Sequence, residues 1–539
     1  MIITKINIQN YKLLKDVCVE LNPDVNVFVG ENDAGKSTLL EVISIVASGK
    51  LNGNAFHKQL KANMFNMDCR NKYIASLSST PIAPPKLILE AYCDGDDASY
   101  SGTNNMFSDN CSGIRVVAEF DPQYEAVYKT MLEHHDVKDI PVELYHVSYR
   151  YFSGEIVAFK YAPLKAVYVD TTRKDYAGMV DRFVSENITE YLSEQEQVDL
   201  SVAYRRVRAD FRESETIEKL NSSIRENDSL SGRNISLELR ENEIDEWKRQ
   251  MSISIDKIPF EHIGFGSQNS IKVELAIKNS EGQANLILME EPENNLSFTN
   301  MAKLIHRISL SEGKQIFIST HSSFVANKLN LKNLLLVEYG RVKSFRDLPA
   351  DTVSYFLKLP GYDTLRLVLA EKVILVEGPT DDLIIQRAYH DQFGCLPIDK
   401  GIDIIAVGSL AFKRYCDIAI VLQKKVLVVT DNDHSVQVKI TEKYSDYIGD
   451  PYINFFYETD ENLNTIEPSV LTVNCGGDGQ PTAEFKSIIS SNNSLKSRDR
   501  DGILSFMVNN KTEWAMRVFD ASAPIKYPQY IKDVINEYR

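Results

Sequence analysis

From Thr4 onward apolar and polar positions alternate along the chain, closing on the apolar run Val25-Asn26-Val27-Phe28-Val29, which stops at Gly30. Alternation with period two predicts short strands that turn one face to a core. A helix is expected next, over about 36–47. Strand-like pieces return at 86–92, 114–120 and 165–169, separated by loops of Gly, Ser, Asn and Asp. From about 174 to 249 the composition shifts to long polar helices with few Gly or Pro, which reads as a helical insertion and a candidate dimerisation element. Strand signals resume at 284–289, 315–319, 372–376, 403–407 and 425–430. Strands alternating with helices predict an α/β fold in two units.

At 539 residues the chain exceeds what one hydrophobic core usually supports, so two or three domains are expected. With 43% hydrophobic and 25% charged residues the composition is that of a soluble globular protein, and no apolar run is long enough to span a bilayer. The opening Met1-Ile2-Ile3-Thr4-Lys5 reads as a first strand rather than a signal peptide, so a cytoplasmic location with no membrane partner is expected. Seven scattered cysteines without zinc spacing are expected to be reduced structural thiols. The net charge of −16 excludes a protein that coats nucleic acid by bulk attraction. It leaves room for an acidic metal site beside a local basic groove. Candidate basic segments are Arg205-Arg206-Val207-Arg208 and the stretch around Lys496, Arg498 and Arg500, each readable equally as a solvated helix face. Asp94-Gly95-Asp96-Asp97 lacks the later ligands of a calcium loop and reads as a surface turn.

Gly30-Glu31-Asn32-Asp33-Ala34-Gly35-Lys36-Ser37 fits the phosphate-binding pattern G-x-x-x-x-G-K-[ST], between a strand and a helix as that chemistry requires. Glycines let backbone N–H groups wrap phosphates at a helix N-terminus, Lys36 supplies charge to the β and γ phosphates, and Ser37 ligates Mg²⁺. Gly30, Asn32, Gly35, Lys36, Ser37 and Thr38 are therefore the candidate ATP-binding residues. Far downstream, Leu286-Ile287-Leu288-Met289-Glu290-Glu291 is a buried-strand run ending in two acids, the Walker B arrangement. Glu290 is expected in the Mg²⁺ shell, and Glu291 is expected to orient the attacking water.

These segments, with Pro292-Glu293-Asn294-Asn295-Leu296 and Ile318-Ser319-Thr320-His321-Ser322, resemble the ABC heads of the RecF, SMC and OLD (overcoming lysogenization defect) ATPases. The long gap between the two Walker motifs is typical of them. The resemblance implies that His321 is the γ-phosphate-sensing switch. It also implies that a signature loop from one subunit closes over ATP held by another, and Gly264-Phe265-Gly266-Ser267-Gln268-Asn269, with Ser267 at the nucleotide, is the local match. Two positions depart from the pattern. Glu290 stands where Asp is commoner, which lengthens a metal-facing arm, and Ser297 stands where His is often found.

A second constellation opens with Val373-Ile374-Leu375-Val376-Glu377-Gly378-Pro379-Thr380-Asp381-Asp382, an apolar strand delivering a carboxylate at a glycine turn, with further acids one turn on. The strand Val426-Leu427-Val428-Val429-Thr430 ends in Asp431-Asn432-Asp433. Along an extended chain Asp431 and Asp433 face the same way and can share one metal site. Such a cluster of like charges calls for divalent cations, one to activate water and one to stabilise the departing oxygen. The pattern resembles the Toprim domain of topoisomerases, primases and OLD nucleases. Asn464-Thr465-Ile466-Glu467-Pro468 and Lys511-Thr512-Glu513-Trp514-Ala515 narrow the resemblance to OLD nucleases. It implies Glu377, Asp381, Asp431, Asp433 and Glu467 as ligands of Mg²⁺ or Mn²⁺, beside Ser37 and Glu290 in the head. Lys511 would stabilise charge on the scissile phosphate.

The expected architecture is an α/β chain with an ABC-type, RecF- and SMC-like ATPase head in 1–173 and 250–368, a helical insertion in 174–249, and a Toprim nuclease domain in 369–539. The resemblance implies an ATP-regulated, metal-dependent DNA endonuclease of bacterial anti-phage defence, as in Gabija systems and certain retrons. It also implies a dimer or tetramer formed through the head, and a partner such as a helicase or a retron reverse transcriptase with its nucleic acid. The rival readings are an ATP-dependent DNA clamp or scaffold with a non-catalytic Toprim domain, and a primase or topoisomerase. No sequence context marks the tyrosine that a topoisomerase needs.

Overall fold

In the computed structural model the first alternation becomes two antiparallel strands, Ile3–Tyr11 and Leu14–Glu20, in register from Lys5 opposite Glu20 to Tyr11 opposite Leu14. Ile3, Ile6, Ile8 and Tyr11 are buried while the residues between them carry the polar face. Leu87–Cys93 pairs with the other edge of the first strand, Cys111–Phe120 pairs with Leu87–Cys93, and Tyr145–Tyr151 closes the antiparallel sheet. The structure describes residues 1–171, 192–227, 237, 254–279, 285–310, 313–490 and 495–538. Of the expected insertion, the helices Glu194–Arg212 and Glu215–Asn227 are described, the first opened by a Ser193/Glu196 capping box. The remainder of 174–249, apart from 192–193, 213–214 and 237, lies outside the described residues.

Contacts divide the chain into one unit of Met1–Asn26 with Gly35–Thr320 and another of Val27–Ala34 with His321–Arg539. Besides the antiparallel sheet, the first unit holds three parallel strands, Ala166–Asp170, Leu286–Glu290 and Gln315–Ser319. The Leu286–Glu290 strand is central among them, and Leu286 through Met289 are fully buried. That burial is why it reads as a continuous apolar run rather than an alternation.

In the second unit, Leu334–Glu338 runs parallel to Val27–Val29 and antiparallel to Arg341–Ser344. A separate four-stranded parallel sheet has the order Ile402–Ala406, Lys372–Val376, Val426–Val429, Ile453–Phe456. Ile374, Val376, Leu427 and Val429 share a core with Ile384 and Ile385 of the helix Pro379–Phe393, Trp514 of Lys511–Asp520 and Ile531 of Gln529–Glu537. The alternate residues Val373, Leu375, Val426 and Val428 are buried as completely. A sheet covered on both faces leaves its carboxyl edge as the accessible place for chemistry. Among the described residues no helix is long and apolar enough to cross a membrane.

Candidate functional site

The strand Val25–Val29 feeds the glycine loop, which ends at Gly35 with φ 111, a left-handed conformation that glycine takes without strain. A Cβ at Gly30 would lie 2.4 Å from the Val337 carbonyl oxygen, so that position too admits only glycine. Helix Lys36–Ser48 begins without a side-chain cap and with no acid in its first turn, leaving N–H groups of positive partial charge at the loop. Lys36 and Thr38 are buried.

Glu290 is the hub of the first unit's candidate site. Ser37 Oγ donates to Glu290 Oε1, and the Tyr168 hydroxyl donates to Glu290 Oε2 at 2.7 Å. Thr171 Oγ1 lies 2.7 Å from the Glu290 carbonyl oxygen and 2.5 Å from that of Glu291. The longer arm of Glu290 thus reaches the loop serine directly. Burial, then the Glu290 charge, holds the Tyr168 phenol far above its usual range, so it stays a donor. Glu291 sits at φ 44 with its N–H on the Ser319 carbonyl at 2.9 Å, and Asn294 Nδ2 donates to its Oε2 at 2.8 Å. Thr320 Oγ1 donates to Glu293. His321 is exposed just beyond strand Gln315–Ser319. Ser267 is exposed on the first turn of helix Phe265–Asn279, while its neighbour Asn269 is buried and donates to the Asn294 carbonyl at 2.9 Å. Ser37 and Glu290 are therefore brought together.

In the second unit the acids gather where strands Lys372–Val376 and Val426–Val429 end on the same edge. Glu377 Oε1 accepts from Thr430 Oγ1 at 2.7 Å and from the Asp431 N–H at 3.3 Å. Asp381, in the first turn of Pro379–Phe393, reaches back to accept from the Gly378 N–H at 3.1 Å. Glu467 is 1% exposed; its Oε2 accepts from Thr465 Oγ1 at 2.7 Å, and its Oε1 has no hydrogen bond but lies 3.6 Å from Lys511 Nζ. Burial, then the Glu377 charge, pushes the Asp381 carboxyl up to about 7. Burial, then Asp381, Glu377, Glu467 and Asp433, pushes Asp431 up to about 9. The phenol of buried Tyr530 is raised by burial and then by the charges of Asp381 and Asp431.

One expectation is corrected. The strand ends at Val429, so alternation does not place Asp433 beside Asp431. Instead Asp433 and His434 adopt left-handed φ of 45 and 68, a turn that costs energy in two consecutive non-glycine residues. Asp433 Oδ2 points to Lys439 Nζ at 3.3 Å. What holds this turn is Asn432, 1% exposed, whose Nδ2 donates to the carbonyls of Glu458 at 2.8 Å and Asp460 at 3.1 Å, while its Oδ1 accepts from the His434 N–H at 3.0 Å. The Asp433 N–H reaches the Asn464 carbonyl at 3.2 Å, and Glu461 caps the Val436 N–H at 2.9 Å. Asn432 thereby ties the acidic turn to the loop that leads into Glu467. Sequence reading passed over Asn432, Tyr168, Thr171 and Tyr530, because each acts through contacts remote along the chain.

The donor set suits a hard divalent cation: all oxygen, several carboxylates, and a buried Glu467 oxygen without a hydrogen bond. Among the described residues no three Asp, Glu, His or Cys side chains already converge around an ion. Glu377, Asp381 and Asp433 are each turned toward a local donor.

Residues 1–326 match the family of AAA ATPase domains, and residues 368–433 match the family of overcoming lysogenization defect protein-like TOPRIM domains. The DNA replication and repair protein RecF of Clostridium beijerinckii is 33% identical over 132 residues, which are 24% of this chain and 34% of that protein. RecF of Staphylococcus haemolyticus is 38% identical over 55 residues, 10% of this chain and 15% of its own. The chain thus spans about a third of the first relative's length and less of the second's. Among solved structures, the SMC head domain from Thermotoga maritima is 14% identical with a TM-score of 0.31, covering 64% of this chain and 99% of its own. The recombination mediator protein RecF with ATP is 12% identical with a TM-score of 0.34, covering 64% and 99%.

Proposed function

Because the chain belongs to the OLD family, with an AAA ATPase domain ahead of an OLD-like Toprim domain, we propose that it is an ATP-regulated DNA endonuclease that uses Mg²⁺ or Mn²⁺. The observation that carries this reading is the gathering of Glu377, Asp381, Asp431 and Glu467 at one sheet edge, where burial and the neighbouring carboxylates raise the Asp381 and Asp431 carboxyls above their ordinary range. Repulsion of that size costs stability unless cations offset it. Glu377, Asp381, Asp431, Asp433 and Glu467 are the residues that would hold them. Bound cations would supply an activated water and charge neutralisation at the departing oxygen. Lys511, already paired with Glu467, faces the phosphate and offsets its developing charge.

In the head, Lys36 neutralises the β and γ phosphates, Ser37 and Glu290 hold the nucleotide's Mg²⁺, and Tyr168 keeps the Glu290 carboxylate aimed. Glu291 orients the water, His321 senses the γ phosphate, and Ser267 meets ATP held by a second copy. The proposal includes the domain limits 1–173, 174–249, 250–368 and 369–539, assembly through the head, a cytoplasmic location, and a role in anti-phage defence beside a partner that handles nucleic acid.

A second reading, a DNA clamp with a silent Toprim domain, is favoured by the lack of a ready coordination shell among the described residues. Plasmid cleavage with metal and nucleotide varied separates the two. The nuclease reading expects metal-dependent nicking by the wild type that Asp431→Ala abolishes while ATP hydrolysis continues; nicking at the wild-type rate by Asp431→Ala would sink it.

A further inference from the structure

The acidic edge has a cationic flank that the reading above does not use. Lys439 and Lys443 lie four residues apart on the helical stretch that follows the Asp431-Asn432-Asp433 turn, and its central part, Gln437–Glu442, is a π-helix, a form found mostly as single turns at functional sites. Lys439 Nζ stands 3.3 Å from Asp433 Oδ2. Lys443 Nζ lies over the ring of Tyr444 at 4.8 Å, and that ring packs edge-on against Phe412, the residue before Lys413. All three lysines are half-buried. Burial foremost, with the like charges of Lys439 and Lys413, pulls the Lys443 ammonium below its ordinary range against the attraction of Glu377 and Asp433.

In a chain of net charge −16, three lysines drawn together and partly out of water need a counter-charge. Without metal, Asp433 and Glu377 provide it. Once cations take up the charge of those acids, the lysines are released from them and available to an anion. Resting on the nuclease reading of this edge, we propose that Lys439 and Lys443, with Lys413 beside them, bind backbone phosphates of the DNA strand next to the scissile bond. Lys439 exchanges Asp433 for a phosphate oxygen as the metal sites fill. The bare alternative is that the lysines serve only as counter-ions for the acids.

The test uses the full chain as wild type, Lys439→Gln, Lys443→Gln, the double variant and Lys439→Arg. Binding of a short labelled duplex is measured over a salt series with Ca²⁺ present, beside plasmid cleavage with Mg²⁺ or Mn²⁺, ATP hydrolysis and melting temperature. Each lost phosphate contact lowers the slope of log affinity against log salt by about one. The double variant is therefore expected to lose about two, to cleave with KM raised about tenfold and kcat little changed, and to hydrolyse ATP and melt as the wild type does. Lys439→Arg keeps slope and KM. A wild-type salt slope in the double variant overturns the proposal and leaves the counter-ion role. Failure of the wild type to cut any plasmid overturns the nuclease reading instead, and the binding slopes still decide whether the lysines hold phosphate.

Discussion

Asp381 and Asp431 hold their protons to about 7 and about 9 in the folded chain because they are buried among other carboxylates. Unfolded, they release them near the ordinary carboxyl value of about 4. A group whose folded pKa is raised adds stability that is fully present below its unfolded pKa and is lost as pH rises through its folded one. With metal removed by chelator, the melting temperature is therefore expected to fall as pH rises from about 4 through about 7 to 9, and excess Mg²⁺ or Mn²⁺ at pH 8 to restore most of the loss. Asp431→Asn flattens the fall. A chelated wild type whose melting profile matches that of Asp431→Asn across this window would falsify the account. The acids themselves were legible, since an apolar strand ending in carboxylates is a local pattern. Asn432 was not, because its worth lies in bonds to Glu458 and Asp460 that no local pattern announces. Asn432→Ala removes the donors to the Glu458 and Asp460 carbonyls and releases a costly turn. Metal titration should show half-maximal cleavage moved at least about tenfold higher, in line with the loss of a group that orients metal ligands. Unaltered metal dependence in a folded Asn432→Ala protein would remove Asn432 from the site.

Among the elements, strands were read from the chain most accurately where both faces are buried. Gln315–Ser319 and Lys372–Val376 begin and end where the apolar runs do. Leu334–Glu338 and Ile453–Phe456 escaped notice, because no motif residue follows to mark their ends. The helix Lys511–Asp520 was seen as a lysine motif, but not what anchors its far end. Arg387, 7% exposed, donates to the carbonyls of Val518 at 3.1 Å, Phe519 at 2.8 Å, Ala521, and Ala523 at 3.3 Å, and pairs with Asp391 at 2.8 Å, which also accepts from Tyr527. A guanidinium at a helix C-terminus meets both the orphaned carbonyls and the dipole. Arg387→Met leaves Asp391 without its ion-pair partner and the carbonyl cluster without its donor, a loss of about 3–5 kcal/mol by comparison with other broken buried pairs. Calorimetry should find the transition of this unit lowered by several degrees, with Arg387→Lys restoring only part because it lacks the planar fork. A melting profile like the wild type's for Arg387→Met would mean that the carbonyl cluster is held by something else.

Across the whole molecule, the sequence carries two chemistries on separate motifs: Ser37 meets Glu290 in the first unit, and Glu377 meets Asp431 in the second. Both pairs join positions far apart along the chain, yet the residue types announced them, because phosphate loops and clustered acids follow local rules. What composition and pattern could not supply is how one chemistry governs the other. Lys36 is the point at which that dependence can be cut. If its ammonium is the cation offered to the β and γ phosphates, as proposed, Lys36→Ala should lower ATP hydrolysis on the order of a hundredfold or more, as loss of one preorganised charge-stabilising donor does. The acids of the second unit are untouched by the substitution, so divalent metal should still support plasmid cleavage. A ligand shifts an equilibrium only through its differential affinity for the two states, and a head that no longer grips ATP has none. Whatever direction ATP drives cleavage in the wild type, the ratio of cleavage rates with and without ATP should therefore collapse toward one in Lys36→Ala. Nicking rates measured for both proteins over a nucleotide titration decide the matter. A Lys36→Ala protein that loses ATP hydrolysis but still changes its cleavage rate with ATP as the wild type does would show that nucleotide acts on the acidic edge by some route other than this loop.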